Sequence, residues 1–594
     1  MNGVAVPTSD SQGGSRALRS ALWFGNRDLS GFIHRSSLHA EGISQAALAG
    51  RPIIGICNSW SELVSCNLHF RSLAEAVKRG VLLAGGLPLE FPTISLGESL
   101  MKPTAMLYRN LMSMDVEECL RAYPLDAVVL IGGCDKTIPA QLMGAASADV
   151  PAIMLVGGPS EAPFFRGQQL GAGTDLWHYA DALRAGRMTE SEFDELEAAA
   201  RPSVGTCNEM GTASTMAALV EGLGMCLPGT AAIPAVDAAR SRAAEATGAR
   251  AVGLARAGPA PSQILTGDAF NNAITVLAAI GGSTNAVLHL LALAGRVGVP
   301  LTLDHIHAVS SRTPLLANIR PSGDHLFEHL HRAGGIPALL QELEPLLATA
   351  AMTVTGAPLA DGYLAASVAN RDVIATLSDP LRTDSGIAVV RGSLAPSGAV
   401  IKRSAASPDL LRHRGPALVF NDVYDVQARI DDDSLPVTPD SVLVLRNSGP
   451  LGGPGMPEWG QIPIPRKLLS AGVSDVVRVS DARMSGTAFG TVVLHVAPES
   501  AAGGPLAVVE DGDPIILDVG EGRLDLDISL AEVERRRAEL APPEPKYTGG
   551  YGALYLAHVL QADEGCDFDF LRGRDPKANQ LEPYGLLSGW VGGW

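Results

Sequence analysis

Asp126-Ala-Val-Val-Leu-Ile-Gly-Gly-Cys-Asp-Lys136 passes into Thr137-Ile-Pro-Ala-Gln-Leu-Met-Gly-Ala-Ala-Ser-Ala148 and then into Asp149-Val-Pro-Ala-Ile-Met-Leu-Val-Gly-Gly158. The first and last runs are unbroken apolar stretches of strand length, the kind that parallel sheets bury on both faces. The segment between them reads as a helix over 137–148. Strand, helix and strand in this order make a βαβ unit with a right-handed crossover, and the Gly157-Gly158-Pro159-Ser160 break closes it. Cys134, Asp135 and Lys136 then fall at a strand's carboxyl end, where open α/β sheets take their ligands.

Working outward, Arg51 to Cys57 predicts another short buried strand, and Leu68 to Ala84 a helix with Leu73, Val77 and Val81 on one side. Ala180 to Ala200 is polar and helical; Met210–Leu223 and Asn271–Leu293 are strongly apolar helices. Gly281-Gly282 interrupts the last of these at a cost of roughly 1 kcal/mol per glycine. Such a break suits a close approach of backbone to a ligand or to a neighbouring element. Near residue 380 the texture changes to short apolar runs bounded by glycine, proline and aspartate, such as Ile387–Arg391, Ala399–Lys402, Ser441–Leu445, Asp475–Val479 and Thr491–Val496, with two more in 505–528. That spacing predicts a β-rich barrel or sandwich. The expected fold class is α/β: a flexible N-terminal tail over 1–17, a parallel-sheet α/β domain over 18–380, and a smaller β-rich, barrel-like domain over 381–594 that ends in a Tyr/Gly/Trp-rich extension with Trp590 and Trp594.

At 594 residues the chain exceeds what one core serves. Its 63 Asp and Glu against 45 Lys and Arg give a formal charge of −18, which argues against a nucleic-acid or anionic-membrane binder. No apolar run reaches the ~18 residues of a membrane span. The first 15 residues are polar and lack the apolar core of an export signal, so a reducing cytoplasm is expected. The seven cysteines are then free thiols or metal ligands rather than disulfides.

Cys66, Cys134 and Cys207 sit in three similar settings, each where an apolar run gives way to polar, glycine-rich sequence. Beside Cys134, a soft thiolate ligand adjoins the hard carboxylate of Asp135, a pairing that hints at two adjacent metal centres; the plainer reading is a buried thiol beside a solvated ion pair. No CxxC supports a zinc ribbon. Cys57 competes with Cys66 but lies within a strand, and Cys119, Cys226 and Cys566 have no comparable context. Glu98, at a strand-to-glycine junction, offers a hard oxygen ligand or is a solvated loop carboxylate. Asn447 to Glu458 is a glycine/proline loop of the length that tends to be functional. Ser485, in Asp481-Ala-Arg-Met-Ser-Gly-Thr487, is placed to act as a nucleophile or base, although most such serines only cap a turn.

Together these segments resemble the dihydroxy-acid, sugar-acid and phosphogluconate dehydratase family from about Leu18 to Leu571. The most specific markers are Gly-Gly-Cys-Asp-Lys-Thr-Ile-Pro at 132–139, Gly-Gly-Ser-Thr-Asn-Ala at 281–286, Gly-Gly-Pro-Gly-Met-Pro-Glu at 452–458 and Asp-Ala-Arg-Met-Ser-Gly-Thr at 481–487. The resemblance implies a [2Fe–2S] cluster on Cys66, Cys134 and Cys207 with one iron left open to act as a Lewis acid. It implies Mg2+ on Glu98, Asp135, Glu458 and a carbamylated Lys136. It implies Ser485 as the base, with Thr487 positioning the substrate or Ser485. The substrate is then a small 2,3-dihydroxy acid, dehydrated to a 2-keto acid by a homodimer or homotetramer.

The stretch 484–490, the run 494–500 and the C-terminal extension resemble the sugar-acid branch, so L-arabinonate or D-xylonate is expected. Leu451, Gly453 and Pro457 depart from that branch's Lys, Tyr and Ala, which leaves dihydroxyisovalerate and glycerate open as alternatives. From other classes stand a non-catalytic iron–sulfur redox sensor and a magnesium-only, enolase-like dehydratase with Lys136 as base.

Overall fold

The computed structural model of the protein describes residues 16–541 and 544–573. Residues 1–15 of the expected tail, Trp590 and Trp594 lie outside the described residues. Four strands, β1 (Ile53–Asn58), β2 (Leu87–Pro92), β3 (Ala127–Gly132) and β4 (Ala152–Val156), form an all-parallel sheet in the order β2-β1-β3-β4. Every residue of β1, β3 and β4 is buried. Burying each Val, Leu or Ile of β3 contributes about 1.5–3 kcal/mol. That outweighs the roughly 1 kcal/mol entropic cost of each glycine that follows.

The helix Thr137–Ala148 begins where predicted, straight off the carboxyl end of β3. Pro139 sits in its first turn, where no intrahelical N–H partner is lost. Asp149, in the left-handed conformation at φ 52°, ends it by returning its N–H to Ala145. The helix Phe70–Leu83 follows β1 and packs on the long helix Ala238–Ala257. The predicted polar helix is two, Thr174–Arg184 and Glu190–Ala199. The predicted 271–293 helix is also two, Gly267–Ala279 and Asn285–Arg296, divided at the glycine pair, where Gly281 adopts φ 55°.

The second sheet has eight strands: β5 (Ala388–Val390), β6 (Gly398–Ile401), β7 (Arg412–Phe420), β8 (Val442–Leu445), β9 (Arg478–Ser480), β10 (Val492–Ala497), β11 (Pro514–Asp518) and β12 (Arg523–Leu526). Their order is β12-β11-β7-β8-β9-β10-β6-β5. Arg391, just past β5, accepts from Leu524 at 2.7 Å and donates to Gly522 at 2.8 Å, so the two edges meet and the sheet is a nearly closed, mixed barrel. Alternate residues separate into two cores, Val442 and Val444 in one, Leu443 and Leu445 in the other, as the two-residue period of a strand requires.

After the barrel the chain returns to the first half. Tyr551 donates to the Leu107 carbonyl at 2.8 Å. Arg109 donates to the carbonyls of Gly565 and Cys566 at 2.9 and 2.8 Å, and fully buried Arg296 and Asp567 pair at 2.5 Å. No helix among the described residues is long and apolar enough to cross a membrane.

Candidate metal centre and serine loop

The carboxylates of Glu98, Asp135 and Glu458 converge until one oxygen from each lies within 4.8 Å of the others. They arrive from the loop after β2, from the turn between β3 and its helix, and from the end of the glycine/proline loop. Lys136 is wholly buried among them: its ammonium contacts Asp135 and lies 3.1 Å from Glu458 and 3.4 Å from Glu98. Burial and nearby Arg483 work against that charge, but the three carboxylates outweigh them and raise the lysine pKa. Three converging carboxylates, Asp135 buried and the other two partly so, form a donor set suited to a hard divalent ion.

Two of the carboxylates are also tied from outside. Glu98 accepts from Thr104 at 2.6 Å. Glu458 accepts from Arg483 at 2.7 Å and from Asn285 at 3.0 Å, and Arg483 also donates to Thr104 at 3.0 Å. The break at Gly281-Gly282 thus delivers Asn285 to this centre. Sequence reasoning gave no role to Asn285, Thr104 or Arg483, although the motifs 281–286 and 481–487 already contained Asn285 and Arg483.

The three singled-out cysteines lie at the carboxyl ends of β1, β3 and β4. Cys66 is in the short helical turn Ser65–Asn67. Cys134 heads the helix after β3. Cys207 follows Thr206, whose N–H donates to the Gly158 carbonyl at 3.0 Å just past β4. Asn67 links the first two loops, accepting from the Cys134 N–H at 3.3 Å while donating to Ser95 at 2.9 Å. A Cβ on Gly133 would come within 2.8 Å of Phe70 and 3.1 Å of the Cys66 carbonyl, so the approach of these loops requires glycine there.

The Cys134 thiol donates to Asp135 at 3.2 Å; the proximity of Cys66 and Cys134 lowers the pKa of Cys66 and, with burial, raises that of Cys134 well above the ordinary value. Burial pushes Cys207 up to about 12 against the pull of Arg201. Among the described residues only the carboxylate trio brings three such ligand atoms within 4.8 Å of one another. Cys57 faces away, inside β1, beside the Gln141 amide at 3.7 Å, and burial raises its thiol pKa.

Ser485 lies beside this centre. Its N–H donates to the carbonyl of Trp459, the neighbour of Glu458, at 2.8 Å. The carbonyl of Met484 lies 3.3 Å from the Asn285 amide. Ser485 Oγ is 2.9 Å from Thr487 Oγ1. Lys402, just past β6, donates to the carbonyls of Gly486 at 3.0 Å and Met210 at 3.3 Å, and burial draws its pKa down to about 7 against the pull of Glu209. The glycine/proline loop is firmly held: Asp481 accepts from the Ser448 N–H at 3.0 Å, and Glu499 from Leu451 and Gly452 at 2.8 and 2.9 Å. Behind the serine loop a cavity of about 410 Å³, between His178, Asp181, Asp475 and Phe489, contains none of the site's carboxylates or thiols.

Residues 51–362 match the dihydroxy-acid/6-phosphogluconate dehydratase N-terminal family model, and 372–566 match its C-terminal counterpart. The chain is 53% identical over 565 residues to an L-arabonate dehydratase of Azospirillum brasilense, covering 94% of this chain and 97% of that one. It is 50% identical over 560 residues to an L-arabinonate dehydratase of Rhizobium leguminosarum bv. trifolii, with the same two coverages. It is 48% identical over 559 residues to a 6-deoxy-6-sulfo-D-gluconate dehydratase of Pseudomonas putida, covering 93% and 96%. The chain belongs to the dihydroxy-acid/6-phosphogluconate dehydratase family and is an enzyme of the hydro-lyase class.

Proposed function

We propose that this protein dehydrates a sugar acid such as L-arabinonate or D-xylonate to the 2-keto-3-deoxy acid. The observation that carries this reading is the meeting, at one sheet edge, of a three-carboxylate trio, three thiols and a hydroxyl loop tied to the residue after Glu458. Sugar-acid dehydratases among the half-identical relatives support the substrate class. A redox sensor needs neither the carboxylates nor Ser485. A magnesium-only enzyme leaves the thiols without a role.

In this reading Glu98, Asp135, Glu458 and Lys136, the last as a carbamate, hold Mg2+, and Cys66, Cys134 and Cys207 hold a [2Fe–2S] cluster. When bound, the two groups supply Lewis acidity at the substrate carboxylate and at the departing 3-hydroxyl. Ser485 Oγ, deprotonated, takes the C2 proton. The C–H pair forms the C2=C3 double bond, the C3–O bond breaks with its pair on oxygen, and protonation of that oxygen yields water. The enol then tautomerises to the 2-keto acid. Thr487 and Asn285 keep the base beside Glu458. We place the domain division at about 380 and the enzyme in the cytoplasm as a homodimer or homotetramer, on the family resemblance.

The test is a keto-acid product assay of anaerobically purified, brown enzyme against aldonates, glycerate and dihydroxyisovalerate. Turnover is expected on pentonates first. Preference for dihydroxyisovalerate or glycerate would move the protein to the other branch, and no turnover across the panel would restore the sensor reading. Full activity in protein without iron and sulfide would exclude the cluster.

A further inference from the structure

Trp177 lies on the helix Thr174–Arg184, far in sequence from the serine loop, yet its indole Nε1 is 3.1 Å from Thr487 Oγ1. Thr487 Oγ1 is in turn 2.9 Å from Ser485 Oγ, and the Thr487 backbone N–H reaches the same Ser485 oxygen at 3.3 Å. An indole N–H can only donate. It therefore occupies a lone pair of Thr487 Oγ1 and leaves the threonine proton to be placed. Thr487 is 3% exposed, so no solvent shell can take that proton. Its side-chain neighbour on the far side is Ser485 Oγ. The opposite arrangement, with Ser485 donating to Thr487, would leave a buried hydroxyl proton unmet, which is costly.

The chain of donors thus runs one way, from Trp177 through Thr487 to Ser485. Ser485 Oγ receives two hydrogen bonds, and its own proton is committed to neither partner. Two donors aimed at an oxygen favour its anion over its neutral form.

The indole is also fixed in place. A Cβ on Gly460 would lie 2.1 Å from the Trp177 ring, so the ring rests directly on the backbone that continues from Glu458 and Trp459. Thr174, on the same helix, donates its hydroxyl to the Thr487 carbonyl at 2.8 Å. Helix and serine loop are thereby held at two points.

We propose that Trp177 is a positioning residue that orients the Thr487 hydroxyl toward Ser485 and so stabilises the anionic form of that base, an assignment that rests on the reading of Ser485 given above. Trp177 touches no reacting atom; it acts by fixing which way the Thr487 proton points.

The test compares Trp177→Phe, which keeps an aromatic ring on Gly460 but lacks the N–H, with wild type on whichever 2,3-dihydroxy acid wild type turns over. The expected result is a kcat lower by about 10- to 100-fold, the scale of losing one hydrogen bond to a charged group, with KM within about twofold. The rising limb of the kcat–pH profile should move to higher pH, and the primary isotope effect with C2-deuterated substrate should increase. Thr487→Val breaks the same chain and should move the limb the same way, which serves if Trp177→Phe does not fold. Independently of turnover, the indole N–H resonance lost in Trp177→Phe should shift in Thr487→Val. A Trp177→Phe enzyme within twofold of wild type in kcat, or one slowed with an unmoved pH limb and isotope effect, overturns the proposal while leaving the dehydratase reading intact. A wild-type enzyme inactive on the whole panel removes that reading and the proposal with it.

Discussion

Asn285 donates its side-chain amide to Glu458 at 3.0 Å across 173 residues of sequence. The same nitrogen is 3.3 Å from the carbonyl of Met484, next to Ser485. One side chain at the head of a helix therefore supports both a carboxylate of the trio and the loop of the proposed base. The glycine pair before it is what starts a new helix at that point.

Asn285→Ala should accordingly weaken the hard-cation site without touching the thiols. Loss of such an outer partner typically costs 10–100-fold in metal affinity or activity. Titration of activity with Mg2+ is expected to show that shift, while the visible absorption of the protein is unchanged. An unaltered Mg2+ requirement would mean that Glu458 is not a ligand.

The cysteines divide by position. Cys66→Ala, Cys134→Ala and Cys207→Ala should each lose iron and sulfide on elemental analysis. Cys57→Ala should retain both, since its thiol is enclosed within β1. Bleaching by Cys57→Ala alone would reverse the assignment.

Ser485→Ala should keep iron, magnesium and the folded state, while turnover falls by several orders of magnitude, the scale of losing a catalytic group. Near-normal turnover would exclude Ser485 as the base.

Glu499 gives a pH prediction. Burial, reinforced by Asp481, raises its pKa from an ordinary 4.5 to about 7, against the amide donors that face it. The folded state thus favours the protonated form. The corresponding stability is fully present below pH 4.5 and is lost as pH rises through about 7. Glu499→Gln keeps an acceptor oxygen but does not ionise. Its thermal midpoint relative to wild type should rise between pH 4.5 and 7, and a pH-independent difference would show that Glu499 does not titrate there.

The sheet-and-helix unit around residue 134 was legible because its strands are apolar throughout, as double burial demands. Strand β2 was not, because Leu87-Pro-Leu-Glu-Phe-Pro92 carries two prolines and is only partly buried at an edge of the sheet. Strand β7 was hidden by Gly415-Pro416 in its middle, and the helix Ala238–Ala257 by an alanine/arginine composition with no clear apolar stripe. The barrel was expected, with a sandwich as its alternative; what excludes the sandwich is the Arg391–Leu524 closure, a pairing between residues 133 positions apart. In the site, Cys134-Asp135-Lys136 could be read because its chemistry is contiguous. Trp177, Thr104 and Lys402 could not, since each gains its role only from a partner brought near by folding.

The Arg296–Asp567 and Arg109–Cys566 contacts set an order of assembly. Both guanidinium groups belong to the first half of the molecule and are fully buried in the complete structure, but these partners emerge from the ribosome only after the entire barrel has been made. The framework beneath the carboxylates and thiols therefore receives its last contacts from the end of the described chain.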